Sequence, residues 1–208
     1  MIPPFAPPLR VFVSEYVTGG AWPEGRPEGS LASEGAAMLQ SVVTDLSEVA
    51  GLELHTTWDL RLGPAQWCPG GDAACRSPVT IHAVESPNQE ANVFERFSCG
   101  SYAVLVIAPE LDGLLTQRCR AVESAGGRLL GPNSSATDLC ADKWRLAQHL
   151  ESVGIPTIPT ERWNLADAAP PSGRWPRVIK PRLGAGSTAT FRVDDPEGFR
   201  DLRSRLQT

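Results

Sequence analysis

No apolar run in this 208-residue sequence is long enough to span a membrane. The proline-rich opening, Met1 to Arg10, has neither a basic head nor an apolar stretch of signal-peptide length. Membrane insertion and secretion are therefore not expected, and a cytoplasmic location is. There is no basic cluster either. The 19 basic residues are scattered among 24 acidic ones, for a net charge of -5, so nucleic acid is not the expected partner. A small anion stays open, because it needs only a local positive site. The five cysteines, Cys68, Cys75, Cys99, Cys119 and Cys140, are odd in number and irregular in spacing, which argues against a disulfide framework and for a reducing compartment. Cys68 and Cys75 share a Pro/Gly-rich stretch and could meet in space, but no second ligand pair follows to complete a zinc site. Gly-Lys-Ser/Thr, the end of a Walker loop, is missing, and no G-x-G-x-x-G opens a helix. His55, His82 and His149 are dispersed and read as sheet or helix residues rather than ligands, and no Ser/His/Asp or Cys/His arrangement can be argued.

What is present is an ordinary globular balance, 41% hydrophobic and 21% charged, with a regular alternation of elements. Leu9 to Val13 is a short β-branched run that predicts a buried strand, and Ser14 to Ser30 is a long connection with Gly19, Gly20, Gly25 and Gly29. From Leu31 to Val49 the apolar positions fall at helical spacing, Gly51 ends the helix, and Leu52 to Thr57 reads as a second strand. Residues 59–77 read as a loop insertion, and Val79 to Val84 as a third strand. A helix is expected over 88–97, a strand over 102–108, a helix over 110–125 and a brief strand over 128–130. Strand and helix alternating over 9–131 imply a parallel sheet covered on both faces, a first domain of Rossmann-like α/β type. In such sheets ligands lie at the carboxyl ends of the strands, which makes Glu15, Glu85 and Glu110 the acids to watch.

From Ser134 the pattern changes. One helix is expected through Val153, closed by Gly154, followed by an extended run over 155–163 and a linker over 167–173. Arg177 to Pro181 and Thr188 to Val193 read as an antiparallel hairpin around the glycine loop Leu183 to Ser187, and Pro196 opens a last helix reaching Leu206. The simplest division is a proline-rich tail over 1–8, an α/β domain over 9–131 and a second domain over 132–208.

Two lysines and a glycine loop carry the chemistry. Asp142 and Lys143 fall in a helix that ends in Gly154-Ile155-Pro156-Thr157, and Val178-Ile179-Lys180-Pro181 leads into Gly184-Ala185-Gly186-Ser187. Singly these are a helix-surface charge, a strand-end lysine and a turn; together, in this order, they are hard to assemble by accident. A lysine ammonium follows a phosphate oxygen as a point charge, and small residues let backbone N–H groups approach an anion. In order and spacing this stretch resembles the ATP-grasp family, and the upstream α/β domain resembles the domain that precedes ATP-grasp in these enzymes. Within the family, Val11-Phe12-Val13-Ser14-Glu15-Tyr16 with Ser33-Glu34-Gly35-Ala36-Ala37-Met38 looks most like the tyramine–glutamate ligase group.

The resemblance implies an ATP-dependent ligase that activates a carboxylate as an acyl phosphate for attack by an amine, releasing ADP and phosphate. Lys143 and Lys180 would contact the ATP phosphates, with Gly184, Ala185, Gly186 and Ser187 as the loop over them. Glu15 and Glu34 would serve the substrates, although an acid such as Glu34 in a first helical turn is also simply favourable with the helix dipole. ATP and Mg2+ are the implied cofactors, a small carboxylate and an amine the implied partners, and homo-oligomerisation is left open. The family pattern continues past the glycine loop to an adenine-binding hinge and metal ligands, so no metal ligands are expected within these 208 residues, and the chain alone is expected to be inactive. The rival expectation is a non-catalytic nucleotide- or ligand-binding module.

Overall fold

In the computed structural model, residues 7–23, 25–65, 76–167, 169, 171, 173–184 and 187–207 are described. Cys68 and Cys75, Ala185 and Gly186, and most of the proline-rich tail lie outside them. The chain divides into two compact units, Met1–Pro109 with Gly113–Thr137, and Glu110–Asp112 with Asp138–Thr208.

The first unit is built on four parallel strands, β1 (Leu9–Glu15), β2 (Leu52–Asp59), β3 (Val79–Val84) and β4 (Ala103–Ile107), in the order β3-β2-β1-β4. Period-two geometry decides which residues meet which helices. Val11 and Val13 of β1 point to one face and pack with Leu39 and Val43 of α1 (Gly29–Ser47) and with Leu54 and Trp58 of β2. Phe12 points to the other face, among Phe94 and Phe97 of α2 (Pro87–Gly100), Val104 of β4 and Val122 of α3 (Leu114–Ser124). Phe12 and Phe97 stack with ring centres 5.1 Å apart. Both faces of the sheet are thus covered at β1, which is why residues 11–13 read as an unbroken apolar run, as do residues 103–107 of the neighbouring β4. Each fully buried Leu, Val or Phe contributes about 1.5–3 kcal/mol, as an upper estimate.

Local chemistry sets the ends. Ser86 caps α2 by accepting the Gln89 N–H at 3.3 Å, with Pro87 in the first turn, where its missing N–H costs nothing. The second unit holds α4 (Ser134–Ala141) from Asp138 onward, α5 (Lys143–Ser152), an antiparallel pair β5 (Arg177–Ile179) and β6 (Phe191–Val193), and α6 (Pro196–Leu206). Its own core joins Val193, Phe199 and Leu202 with Trp163 and Trp175, Phe199 meeting the Trp163 ring edge-on at 4.8 Å.

Four expectations change. The helix expected over 134–153 is two helices, because Asp142 turns extended (φ -104°, ψ 100°) and caps the second with its carboxylate. The strand expected over 128–130 is a single bridge, Leu129 to Val104. The long connection after β1 opens with one turn of π-helix, Val17–Ala21. The returning strand starts at Phe191 rather than Thr188, which lengthens the connection around the glycines.

Candidate functional site

In the first unit β1 is flanked by β2 on one side and β4 on the other, so the strand order reverses between β1 and β4, where an open α/β sheet places its ligand crevice. Glu15 stands at that end, but it is buried, and its carboxylate serves the turn that follows. Oε1 accepts the Val17 N–H at 3.1 Å, and Oε2 accepts the Thr18 N–H at 2.5 Å and the Thr18 hydroxyl at 2.6 Å. A Cβ on Gly35 would stand 2.9–3.0 Å from the same carboxylate, so a larger residue there would force α1 or the carboxylate to shift. Gly20 has φ 104°, and a Cβ on it would meet Val84 at 2.4 Å. Glu34, next to Gly35, is exposed on α1, and Glu85 is exposed beyond β3.

Beside Glu15 lies a second buried charge set, which the sequence reading missed. Arg118 of α3 forms an ion pair with the buried Glu90 of α2, donates to the Ser14 hydroxyl at 2.9 Å and lies 3.5 Å over the Phe94 ring. At the end of β2, buried Asp59 holds Arg61, whose guanidinium donates to the carbonyls of Trp22 at 2.9 Å and Gly25 at 2.6 Å, pinning the connection after β1.

The second unit contains the predicted lysines. Lys143 is the first residue of α5 and half-buried; its ammonium donates to the Gly184 carbonyl at 2.5 Å and its backbone N–H to the Arg182 carbonyl at 3.1 Å. Asp142, 4% exposed, caps α5 by accepting the N–H groups of Trp144 and Arg145, each at 3.1 Å, and also takes the Arg182 guanidinium on both oxygens. The hydrogen bond from Arg182 holds the Asp142 pKa down to about 2, outweighing burial, which acts the other way; the helix N–H groups add to the depression. Two guanidiniums lie over the Trp144 ring, Arg162 at 5.1 Å and Arg182 at 5.5 Å from its centre.

The fold therefore brings Lys143 and Gly184 together across 41 residues. Lys180 is exposed, one residue beyond β5, and Ser187 is exposed with φ 58°. Arg182 is the residue that sequence reasoning passed over. Its signal was slight: a cation between Lys180 and the glycines, with an acid preceding Lys143 as its match. Among the described residues no group of three or more His, Cys, Asp or Glu is arranged to hold a metal ion, and no helix is long and apolar enough to cross a membrane.

Comparison with known proteins bears on the fold. Residues 52–137 match the pre ATP-grasp 3 domain. The fold is similar to that of the biotin carboxylase domain of the 2-oxoglutarate carboxylase from Hydrogenobacter thermophilus, solved with MgADP, ADP and bicarbonate (17% identity, TM-score 0.57), with 95% of this chain and 39% of that one covered. It is also similar to that of the L-amino acid ligase from Bacillus licheniformis (15% identity, TM-score 0.51), with 97% of this chain and 43% of that one covered. At such identities the likeness is one of fold, and the chain spans less than half the length of either protein. No curated protein sequence matches the chain. Residues 52–137 match the pre-ATP-grasp domain model, and the fold of the chain is similar to that of part of both solved proteins.

Proposed function

We propose that this chain supplies the phosphate grip of an ATP-grasp ligase, with residues 9–131 as the pre-ATP-grasp domain and 132–208 as the first part of the ATP-grasp domain. The observation that carries the reading is the Lys143 ammonium resting on the Gly184 carbonyl, at the root of the glycine-rich loop. A carbonyl oxygen is a neutral stand-in for a phosphate oxygen, and an anionic oxygen in its place makes the stronger, charge-assisted bond. Lys180, exposed at the end of β5, supplies the second positive charge, and Gly184 and Ser187 lie at the loop's two ends.

The reaction is the transfer of the γ-phosphoryl group of ATP to a carboxylate, giving an acyl phosphate and ADP. An amine then attacks the acyl carbon, the C–O bond to phosphate breaks, and phosphate leaves with the electron pair. In such chemistry the protein mainly positions the groups and neutralises charge, which is what two lysines on a rigid helix end and a strand end provide. The name of the L-amino acid ligase among the structural neighbours supports the carboxylate–amine pairing, and the MgADP in the carboxylase supports a magnesium nucleotide. Bound magnesium would shield the phosphate charge. The described residues form no cluster suited to that ion, so the roles assigned here are to the phosphates alone.

Titration of the chain with MgATP, followed by Trp144 fluorescence and calorimetry, tests this. Lys143→Met and Lys180→Met should each weaken binding by about tenfold or more, the scale of one charge-assisted contact. Equal binding by the parent and both variants, or none by the parent, removes the phosphate-grip reading. In a protein extended beyond Thr208, ADP release that requires both a carboxylate and an amine is the expected activity.

A further inference from the structure

We propose that Arg182 is the positioning residue of this grip, holding the root of the glycine loop against α5 so that the Lys143 ammonium is parked on a carbonyl until a phosphate oxygen takes its place. The proposal rests on the phosphate-grip reading for what replaces the carbonyl, but the positioning itself stands on bonds within one unit.

Lys143 is held at both ends by one short segment. Its backbone N–H, one of the amides a helix start leaves without an internal partner, goes to the Arg182 carbonyl, and its ammonium goes to the Gly184 carbonyl two residues on. That segment is itself fixed by the Arg182 side chain. Nε lies 2.8 Å from each oxygen of Asp142, and Nη2 also donates to Oδ2. Asp142 cannot swing away to follow it, because the same carboxylate caps α5 through Trp144 and Arg145. Cap, ion pair and lysine thus form one linked unit in which the flexible lysine stem has lost its freedom before any ligand arrives. Pre-organisation of this kind lowers the cost of binding and sets where the charge stands. A planar fork is needed for two-oxygen capture of a carboxylate, which a lysine at 182 does only as a point charge.

The test uses the full chain carrying Arg182→Ala or Arg182→Lys. Three readings are taken: amide exchange at Lys143 without nucleotide, the NMR signal of the Lys143 ammonium, and MgATP affinity. The near-ultraviolet signal of Trp163 and Trp175, packed on Phe199 in the separate core of this unit, reports whether the fold survives. In R182A the Lys143 amide should exchange about tenfold faster, the slowly exchanging ammonium signal should vanish, and MgATP should bind about tenfold more weakly, as for the loss of one charge-assisted contact. R182K should recover part of each. Should R182A lose its fold, R182K alone decides, by an intermediate loss of Lys143 protection. Parent-like exchange and ammonium signals in the folded variants would overturn the proposal. A parent chain that ignores MgATP while R182A still frees Lys143 would sink the phosphate-grip reading and keep the positioning role of Arg182.

Discussion

Asp142 and Arg182 stand 40 residues apart in sequence and share a two-oxygen ion pair at the start of α5, with Nε 2.8 Å from each carboxylate oxygen. The pair gives Asp142 a pKa of about 2 against an ordinary 3.8, so the folded state favours the ionised form more than the unfolded chain does. Its stabilisation is therefore complete above about pH 4 and fades as pH falls from there toward 2. An NMR titration of the Asp142 carboxylate should show a midpoint near the lower end of that window. Asp142→Asn should remove this part of the acid dependence while keeping an oxygen to cap the helix. A midpoint near 4 would mean that the pair does not persist in solution.

The approach of Gly35 to Glu15 gives a second expectation. With a Cβ landing 2.9–3.0 Å from a carboxylate that already accepts three hydrogen bonds, Gly35→Ala must push α1 outward or break the turn at Val17. The loss should be about 1–3 kcal/mol in urea unfolding, the usual cost of overpacking, despite alanine's higher helix propensity. Glu15→Ala strands the Val17 and Thr18 N–H groups but clears the space. The double variant should therefore lose less than the sum of the singles. Additive losses would show that the two residues do not press on one another.

The ion pair of Arg118 with Glu90 is different in kind, because Glu90 is 1% exposed and the Arg118 side chain only 13%. Removing one partner leaves a charge in a low-dielectric interior, for which about 3–5 kcal/mol is expected. Arg118→Met should cost that much by chemical denaturation, and pairing it with Glu90→Gln should recover a good part, since the uncompensated charge is gone. If R118M alone unfolds at the parent's denaturant midpoint, the pair is solvated rather than buried.

The parallel sheet was legible because strands buried on both faces leave an unmistakable print: Val11, Phe12 and Val13 are all apolar because each faces a helix layer. Lys143 and Gly184 could be singled out together from their order in the chain, and the fold sets them in contact. The break before α5 was not, since an aspartate within an apolar-periodic run reads as helix surface until its carboxylate is seen on the Trp144 and Arg145 amides. Arg182, Arg118 and Glu90 were hidden for the same reason. Their roles depend on partners 28 to 40 residues away, and pairing at that range leaves no local period. The histidines, read as dispersed, meet because in β2 and β3 His55 lies opposite Thr80 and Thr57 opposite His82, so both rings share one face.

That histidine pair gives the last prediction. His55 Nδ1 and His82 Nε2 are 3.0 Å apart, so one proton lies between them and a second would put two N–H groups head to head. Both rings lie against Phe97, at 4.6 and 4.9 Å. Burial lowers both pKa values below the ordinary 6.5; Glu53, 3.3 Å from His55 Nε2, pulls His55 upward without overcoming it, while Arg10 and Arg96 oppose protonation. A base held below its unfolded pKa binds protons less readily when folded, so stability is complete above about pH 6.5 and declines as pH falls below it. The melting temperature should therefore drop between about pH 7 and pH 5, with His82→Gln flattening the decline because one ring no longer titrates and its amide still offers a donor to His55. Arg96→Gln should instead make the decline smaller and end it at a higher pH than in the parent, since protonation of the folded pair then meets one repelling charge fewer. If neither substitution alters the pH profile, the pair is not what limits stability on the acid side.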